Sequence, residues 1–373
     1  MQHLTENVNT LEKMMLSRAA AAQRPINGTL ELLPLCNMNC DMCYIRLSRA
    51  EMEERGRLHT ADEWISLGRQ MQQEGVLFLL LTGGEPLLFP DFRRLYTELR
   101  QMGMILTINT NGTLLDEEWA DFFGKQKPRR INITLYGADD KAYESLCHYP
   151  GGFEKTLRAI RLLKERGVDV KINGSVTREN LKDMDAVYRI GRNMDVPVHM
   201  DTYMLPGIHE IGKPFDQQSR LNPEEAAAAE MKMLKEEADP EIYPQLVRAR
   251  IAQTEREGAV YPEKISCMAG NCSFAIGWQG EMRPCVTLSE PSVPVFERGF
   301  EAAWKEISEK AKAFSVNEKC TRCRMRPICK TCAASAKLET GEYNGLPEYL
   351  CRYSKEYLKL LCKENEKLWN KGL

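Results

Sequence analysis

No stretch of this chain approaches the ~18 consecutive apolar residues of a membrane-spanning helix. The N-terminus, with Glu6, Glu12 and Lys13, also lacks the apolar core of an export signal. A strong charge of either sign is missing too. Lysine and arginine number 51 against 53 aspartates and glutamates, a net charge of −2 with a pI near 6.3, which excludes the basic footprint of a general nucleic-acid binder. What remains is a globular composition, 43% hydrophobic and 28% charged. At 373 residues the chain exceeds the usual size of one domain, so a core domain with a smaller module is expected. Thirteen cysteines would mean disulfides in a secreted protein. With tight Cys-x2-Cys pairs and no export signal, they read as metal ligands in a reducing, anaerobic cytoplasm.

Three of these cysteines, Cys36, Cys40 and Cys43, stand in the run Leu35-Cys-Asn-Met-Asn-Cys-Asp-Met-Cys-Tyr44. Thiolates at this Cys-x3-Cys-x2-Cys spacing can hold three irons of a [4Fe–4S] cube and leave the fourth without a protein ligand. An open iron can bind a substrate or cofactor, whereas a fully ligated cluster only passes electrons. The competing reading is a zinc knuckle, although zinc favours a pair of cysteines answered by a distant pair. Further on, the apolar run Val76-Leu-Phe-Leu-Leu-Leu81 reads as a buried strand. It ends in Thr82-Gly-Gly-Glu-Pro86, which by itself is an ordinary strand-end turn.

Strand-like and helix-like segments alternate over the first two-thirds of the chain. The apolar strand candidates are Thr29–Leu35, Val76–Leu81, Met104–Thr110, Arg130–Leu135, Asp169–Ser175 and Val196–Thr202. Between them, Thr60 and Glu63 form a capping box that opens a helix. Helical patterns also cover Asp91–Met102, Phe153–Arg166 (closed by Gly167) and 180–193. This α/β alternation predicts a parallel sheet with functional residues at the strand C-terminal ends. The cysteine triplet follows the first strand and Gly-Gly-Glu the second, which is that end. Pro206 to Arg220 is a Gly- and Pro-bearing loop. Asn222 as N-cap and Pro223 at N1 then start a charged, Ala-rich helix to about Ala238, a solvated linker or a clamp between modules.

A second cysteine group follows: Cys267, Cys272, Cys285, Cys320, Cys323, Cys329, Cys332 and Cys351. Within it, Ser273 to Val286 reads as a hairpin turning at Gly280. Eight thiols suffice for two fully ligated cubes or for two four-cysteine zinc sites. Two remain: Cys147, in a loop before His148 at the substrate-facing end, reads as a free structural thiol or a substrate contact, and Cys362, in a C-terminal amphipathic helix, as a core residue.

The triplet with Met42 in its apolar slot, followed by Gly-Gly-Glu at the next strand end, resembles the radical S-adenosylmethionine (SAM) superfamily. The series Cys-x12-Gly-x4-Cys, Cys-x2-Cys-x5-Cys-x2-Cys, Cys resembles the SPASM domain of its peptide-modifying members. The resemblance implies an N-terminal helical extension (1–28), a partial (β/α)6 TIM-like barrel (29–220) and a helical linker (221–260). A small C-terminal Cys-rich iron–sulfur domain (261–355) and a terminal helix (356–373) would follow. It also implies three [4Fe–4S] clusters: a SAM-binding one on Cys36, Cys40 and Cys43, an auxiliary one on Cys267, Cys272, Cys285 and Cys332, and another on Cys320, Cys323, Cys329 and Cys351. The spacing before Cys332 is x2 where x3 is common in the family.

For SAM, the resemblance implies contacts from Met42, from Gly83, Gly84 and Glu85 to the methionyl amine, and from Asn111 to the ribose. Glycines let backbone carbonyls come close and a carboxylate answers an ammonium. Asn111 also reads as a plain Asn-Gly turn. Thr134 would replace a serine that contacts the SAM carboxylate, and Asn173 and Ser175 are polar residues on an otherwise apolar strand. Tyr136 stands where the family has an aspartate; it is expected to line the substrate cavity and, with Asp201, is the catalytic candidate. His199 shares the face of Asp201 by the pleat and also reads as a satisfied structural histidine.

The implied chemistry is reductive cleavage of SAM to methionine and a 5′-deoxyadenosyl radical that abstracts hydrogen from a substrate. The auxiliary clusters would carry off the second electron of an oxidised product, and a flavodoxin- or ferredoxin-type protein would supply the first. The expected substrate is a ribosomal peptide or protein that receives a thioether or carbon–carbon crosslink; no nucleic-acid or membrane partner is expected. The residues before the first strand are too few for a winged-helix leader-peptide domain. Formylglycine formation by an anaerobic sulfatase maturase is the second reading, a non-catalytic iron–sulfur electron-transfer protein the third, and a small non-peptide substrate stays open.

Overall fold

A computed structural model describes residues 10–205, 219–264 and 267–370. The six expected strands are present in chain order: β1 (Asn27–Glu31), β2 (Phe78–Thr82), β3 (Ile105–Thr110), β4 (Arg130–Thr134), β5 (Val170–Ser175) and β6 (Val198–Asp201). Each pairs in parallel with its sequence neighbour, and β1 and β6 are not joined to each other. The result is a partial, open barrel. The first strand is shorter at its far end than its apolar run suggests. Residues 32–35 leave the ladder to bond the turn after β2, with Leu33 O accepting from Gly84 N (2.7 Å) and Leu35 O from Glu85 N (2.9 Å). Hydrophobicity there records burial under a loop and not pairing.

The local signals for helices translate into geometry. Thr60 caps Ala61–Gln73: its hydroxyl accepts from Glu63 N (3.3 Å) and its own N–H donates to the Glu63 carboxylate (2.7 Å). Asn222 caps Pro223–Glu237 in the same reciprocal way. Helices Phe92–Gln101, Gly152–Glu165 and Met184–Met194 lie in three of the later crossovers, where their sequence patterns put them. Several helices were not expected, among them Arg49–Arg55, Glu117–Lys125, Phe300–Ala311 and Ala333–Thr340, and at the site itself Asp140–Cys147, capped by Asp139 accepting from Ala142 N (2.9 Å). It moves Cys147 out of the predicted loop and buries it.

Strand alternation sorts the barrel's two faces. On β4, Ile131 and Ile133 are fully buried while Asn132 and Thr134 are half-buried, and Asn132 donates across to Asn109 on β3 (2.8 Å). Val198 lies against Gly191 of the Met184–Met194 helix, where an added Cβ would clash at 2.1 Å. The helices therefore cover the face of Val198 and Met200, and His199 and Asp201 take the inner face.

The C-terminal part continues the sheet. β7 (Ser273–Ile276) pairs in parallel with β1, and β8 (Glu281–Arg283) and β9 (Val293–Pro294) follow antiparallel, giving the order β6-β5-β4-β3-β2-β1-β7-β8-β9. The β7–β8 hairpin turns at Gly280, whose φ of +88° is the left-handed region glycine favours. On the far edge, β6 offers Met200 N to Glu237 at the end of the Pro223–Glu237 helix (3.1 Å). That helix packs in turn on the long Glu348–Asn370 helix. Among the described residues no helix is long and apolar enough to cross a membrane.

Three buried or largely buried ion pairs fasten this C-terminal part to the barrel. Arg283 of β8 bonds Glu31 at the end of β1, both side chains 1% exposed, and Tyr44 donates to the same carboxylate (2.8 Å). At the opposite edge, Lys330 bonds Glu230 (2.6 Å), which also accepts from Thr202 (2.6 Å). Arg220 bonds Glu339 (2.6 Å) and lies 3.4 Å over the Tyr349 ring. Removing one partner of a buried pair strands the other charge. Arg283→Ala is expected to cost about 3–5 kcal/mol, whereas Glu31→Leu/Arg283→Met restores most of that loss; urea unfolding midpoints of the two variants check this.

Candidate functional site

The cysteine triplet lies on a loop that runs across the C-terminal ends of the strands and is pinned on several sides. Asn37 donates to Thr113 and accepts from Asn111 just after β3 (both 2.8 Å). The N–H groups of Asn39 and Asp41 donate to Cys147 O and Leu146 O (both 3.0 Å). His148 Nε2 meets Asp41 (2.9 Å), and Tyr44 ties the far end to Glu31. Except for Glu31 and Tyr44, these anchors are distant from the triplet in sequence, so the loop's course is set largely by tertiary partners.

N–H groups point at two of the three sulfurs. Cys36 Sγ accepts from Met38 N (3.4 Å) and from the Asn111 amide (3.7 Å), and Cys43 Sγ accepts from Arg46 N (3.3 Å). Burial pushes the Cys36 thiol up to about 12 and Cys43 upward as well. Cys40 is raised first by its hydrogen bond with Cys147 and then by burial, while Tyr136 bonds it and opposes the rise. Such groups lose their protons only to a positive charge that replaces them. N–H donors aimed at sulfur, with burial that disfavours a bare thiolate, fit an iron–sulfur cluster on Cys36, Cys40 and Cys43. Among the described residues no three His, Cys, Asp or Glu side chains converge on one ion; a cube takes one thiolate per corner, so its ligands need not meet at a point.

Gly83 and Gly84 are glycines because the triplet's approach passes against them. A Cβ on Gly84 would stand 2.2 Å from Leu35 O, and one on Gly83 2.5 Å from Leu33 O at a φ of +141°. Glu85 is fully buried. Its carboxylate accepts from Leu87 N (3.0 Å), Asn111 N (2.9 Å) and the Thr110 hydroxyl (2.8 and 2.9 Å to its two oxygens). Burial raises it to about 7 against these donors. The carboxylate expected to meet an ammonium is thus also the pin that joins the β2 turn to the end of β3. Asn111 likewise spends its side chain on Asn37, Cys36 and Thr113 and not on the open lumen.

The inner face of β4–β6 is polar. Thr134 is in register with Asn173, Asn173 with His199, and Ser175 with Asp201. The Asn173 side-chain oxygen is buried with no hydrogen-bond partner, an unanswered acceptor of the kind a polar ligand would satisfy. His199 stands 3.5 Å from Asp201 and 2.9 Å from Glu237. Burial alone would lower its pKa, but those two carboxylates raise it to about 9, so it is a cation at neutral pH. Asp201 is exposed at the strand end, and Tyr136 is boxed against Cys40 and the Tyr143 ring. The two catalytic candidates therefore do not stand alike: Tyr136 lies against Cys40 of the triplet, and Asp201 is exposed at the rim of the inner face beside a protonated histidine. Met42 is half-buried on the triplet loop and packs on the main core.

The later cysteines separate into two electrostatic neighbourhoods. Cys285 is influenced by Cys267 and Cys332, and Cys272 by Cys267. Cys351 is influenced by Cys329, Cys320 and Cys323. Cys267 and Cys332 accept from Ala269 N (3.5 Å) and Ser335 N (3.4 Å). Cys332 thus stands with the first set despite its shortened spacing.

Residues 30–190 match the model of the radical SAM superfamily, so this part of the chain, with the triplet across the mouth of an open parallel barrel, is a radical SAM domain. Over 331 residues it is 24% identical to the AdoMet-dependent heme synthase of Methanosarcina barkeri, covering 84% of this chain and 92% of that protein. It is 22% identical to the PqqA peptide cyclase of Bradyrhizobium diazoefficiens, with coverage of 82% and 80%. Its fold resembles that of Streptococcus suis SuiB bound to precursor peptide SuiA, at a TM-score of 0.68, 17% identity and coverage of 93% and 82%.

The contacts of Thr110, Asn37, Cys147 and Tyr44 escaped the sequence reading. Thr110 immediately precedes Asn111, so its position at the strand end was visible although its partner was not. Glu85 holds a proton in the folded protein up to about pH 7 that the unfolded chain releases near 4.5. Its contribution to stability is therefore fully present below pH 4.5 and is lost as pH rises to 7. Without SAM, Glu85→Gln is expected to flatten the change in urea midpoint between pH 5 and pH 8 relative to the parent.

Proposed function

We propose that this chain is an oxidative maturase that uses SAM-derived radical chemistry on a peptide or protein, with three [4Fe–4S] clusters. The observation that carries this reading is the pairing of a triplet loop across the barrel mouth with eight further thiols in two neighbourhoods. The first provides an open iron. The second gives the product's electron a way out, which an oxidised product such as a thioether or carbon–carbon crosslink requires. When bound, the cluster and SAM supply reductive cleavage to methionine and a hydrogen-abstracting 5′-deoxyadenosyl radical.

In this reading Cys36, Cys40 and Cys43 hold the first cluster, with Tyr136 fixing Cys40 by its hydroxyl. Glu85, held by Thr110, presents its remaining lone pairs to the methionyl amine. Thr134, Asn173 and Ser175 line the inner face where SAM would lie, and the unanswered Asn173 oxygen would accept from it. His199, protonated, fixes the carboxylate of Asp201 at the outer rim, next to an incoming substrate. Cys267, Cys272, Cys285 and Cys332 hold one auxiliary cluster, and Cys320, Cys323, Cys329 and Cys351 the other. The fold shared with SuiB, a protein seen with its precursor peptide, supports an extended peptide as substrate. A flavodoxin- or ferredoxin-type donor in the cytoplasm would supply the first electron.

One observation favours a second reading. The Methanosarcina relative matches over nearly its whole length and carries the name of a heme synthase, so a heme-forming reaction is the alternative. Anaerobic reconstitution is expected to give about twelve irons per chain; about four irons with bound zinc would overturn the auxiliary assignment. SAM and dithionite should then yield 5′-deoxyadenosine. A candidate peptide from a neighbouring gene should lose about two hydrogens in mass, while turnover of an iron porphyrin instead would establish the alternative.

A further inference from the structure

We propose that Cys147 is a positioning residue of the triplet, a fourth thiol that donates to Cys40 Sγ once that sulfur holds iron and so helps set the cluster's reduction potential. This rests on the reading of Cys36, Cys40 and Cys43 as the ligands of that cluster. Cys147 stands with neither set of later cysteines and is fully buried. Helix Asp140–Cys147 ends on it, and His148, at a φ of +50°, turns the chain just beyond. This turn grips the triplet loop on both sides of Cys40. Asn39 N donates to Cys147 O and Asp41 N to Leu146 O (both 3.0 Å), and His148 Nε2 meets the Asp41 carboxylate (2.9 Å). Cys40, the residue between those two donors, is thereby held against Cys147, and the two thiols bond each other.

The three sulfurs of the triplet are answered differently. Cys36 accepts from Met38 N (3.4 Å) and the Asn111 amide (3.7 Å), and Cys43 from Arg46 N (3.3 Å). Cys40, besides its own N–H, is met by two side chains from the segment that follows β4, Tyr136 and Cys147. A sulfur that ligates iron is a thiolate and only accepts, so the S–H of the neighbouring thiol is then the donor. Hydrogen bonds to the sulfurs are among the factors that set a cluster's potential, because they stabilise the negative charge added on reduction. An alkyl side chain of similar volume would fill the same buried space without that effect. Cys147 acts through Cys40 and takes no part in the radical reaction.

The test uses the full cluster-loaded chain and reads the midpoint potential of the SAM-binding cluster, followed by the electron paramagnetic resonance signal that changes when SAM is added. Cys147→Ala removes the donor and is expected to make reduction about tenfold less favourable, a fall of 59 mV for a one-electron couple, at unchanged iron content. Cys147→Ser keeps a donor and should hold the potential at or above the parent's. Tyr136→Phe in the Cys147→Ala background removes the second donor and should lower it further. The potentials of the auxiliary clusters should not move in any variant. If Cys147→Ala loses iron, the near-isosteric pair Cys147→Thr and Cys147→Val is read instead, with the fall expected in Cys147→Val alone. Equal potentials in the donor and alkyl variants, whether both match the parent or both fall, overturn the proposal and leave Cys147 a packing residue. Absence of any SAM-sensitive cluster signal in the parent would instead overturn the reading of the triplet beneath it.

Discussion

Glu31 is a buried carboxylate at the point where the barrel's first strand ends and the triplet loop begins. A charge so enclosed is tolerable only when it is answered; one answer comes from far along the chain and another from the triplet loop itself. Arg283 reaches it from β8, and Tyr44, next to Cys43, completes it. Three distant pieces must therefore assemble at one place: the end of β1, the far side of the triplet loop, and the hairpin that leads to Cys285. The nine-stranded sheet expresses the same dependence, because β7 can extend β1 only when the hairpin behind it is seated. At the opposite edge, Glu230 with Lys330 and Arg220 with Glu339 perform the corresponding joining. The C-terminal part thus grips both open edges of a barrel that does not close on itself.

That arrangement suits a site built from sulfur. Thiols raised by burial stay protonated and inert until a cation takes the place of the proton, and the loop is already held by N–H donors and by the Asp140–Cys147 helix before any iron arrives. Glu85 follows the same economy. Its three donors fix the turn after β2 to the end of β3, while its raised pKa marks a carboxylate that would be better served by a nearby cation. The polar row Thr134, Asn173 and Ser175 faces the same interior, and Asn173 retains one unanswered acceptor there.

Much of this was legible from local chemistry. The six strands, the capping boxes at Thr60 and Asn222, the hairpin at Gly280 and the placement of the triplet at a strand's C-terminal end all follow from patterns a few residues long. Helix Asp140–Cys147 was missed because its apolar positions are few and its role is to meet the triplet loop. Residues 32–35 were read as strand because burial under a turn and burial in a ladder leave the same apolar signature. Tyr136 and Asp201 could be marked as residues at strand ends, but their surroundings differ: one is half-buried beside Cys40, the other is rim-exposed beside a protonated His199.

By itself, then, the sequence determined the periodic elements, the number of thiols and the chemistry those thiols can perform, since spacing, capping and side-chain type are properties of neighbouring residues. The two sets of later thiols were implied by the motif resemblance; tertiary structure alone decided which side chains hold the triplet loop, that Cys147 is buried against it, and that the C-terminal hairpin prolongs the barrel's own sheet. The reason is physical. Desolvation, ion pairing and strand registry depend on what arrives from elsewhere in the chain, and no local pattern encodes the partner of Glu31, of Glu85 or of Cys40.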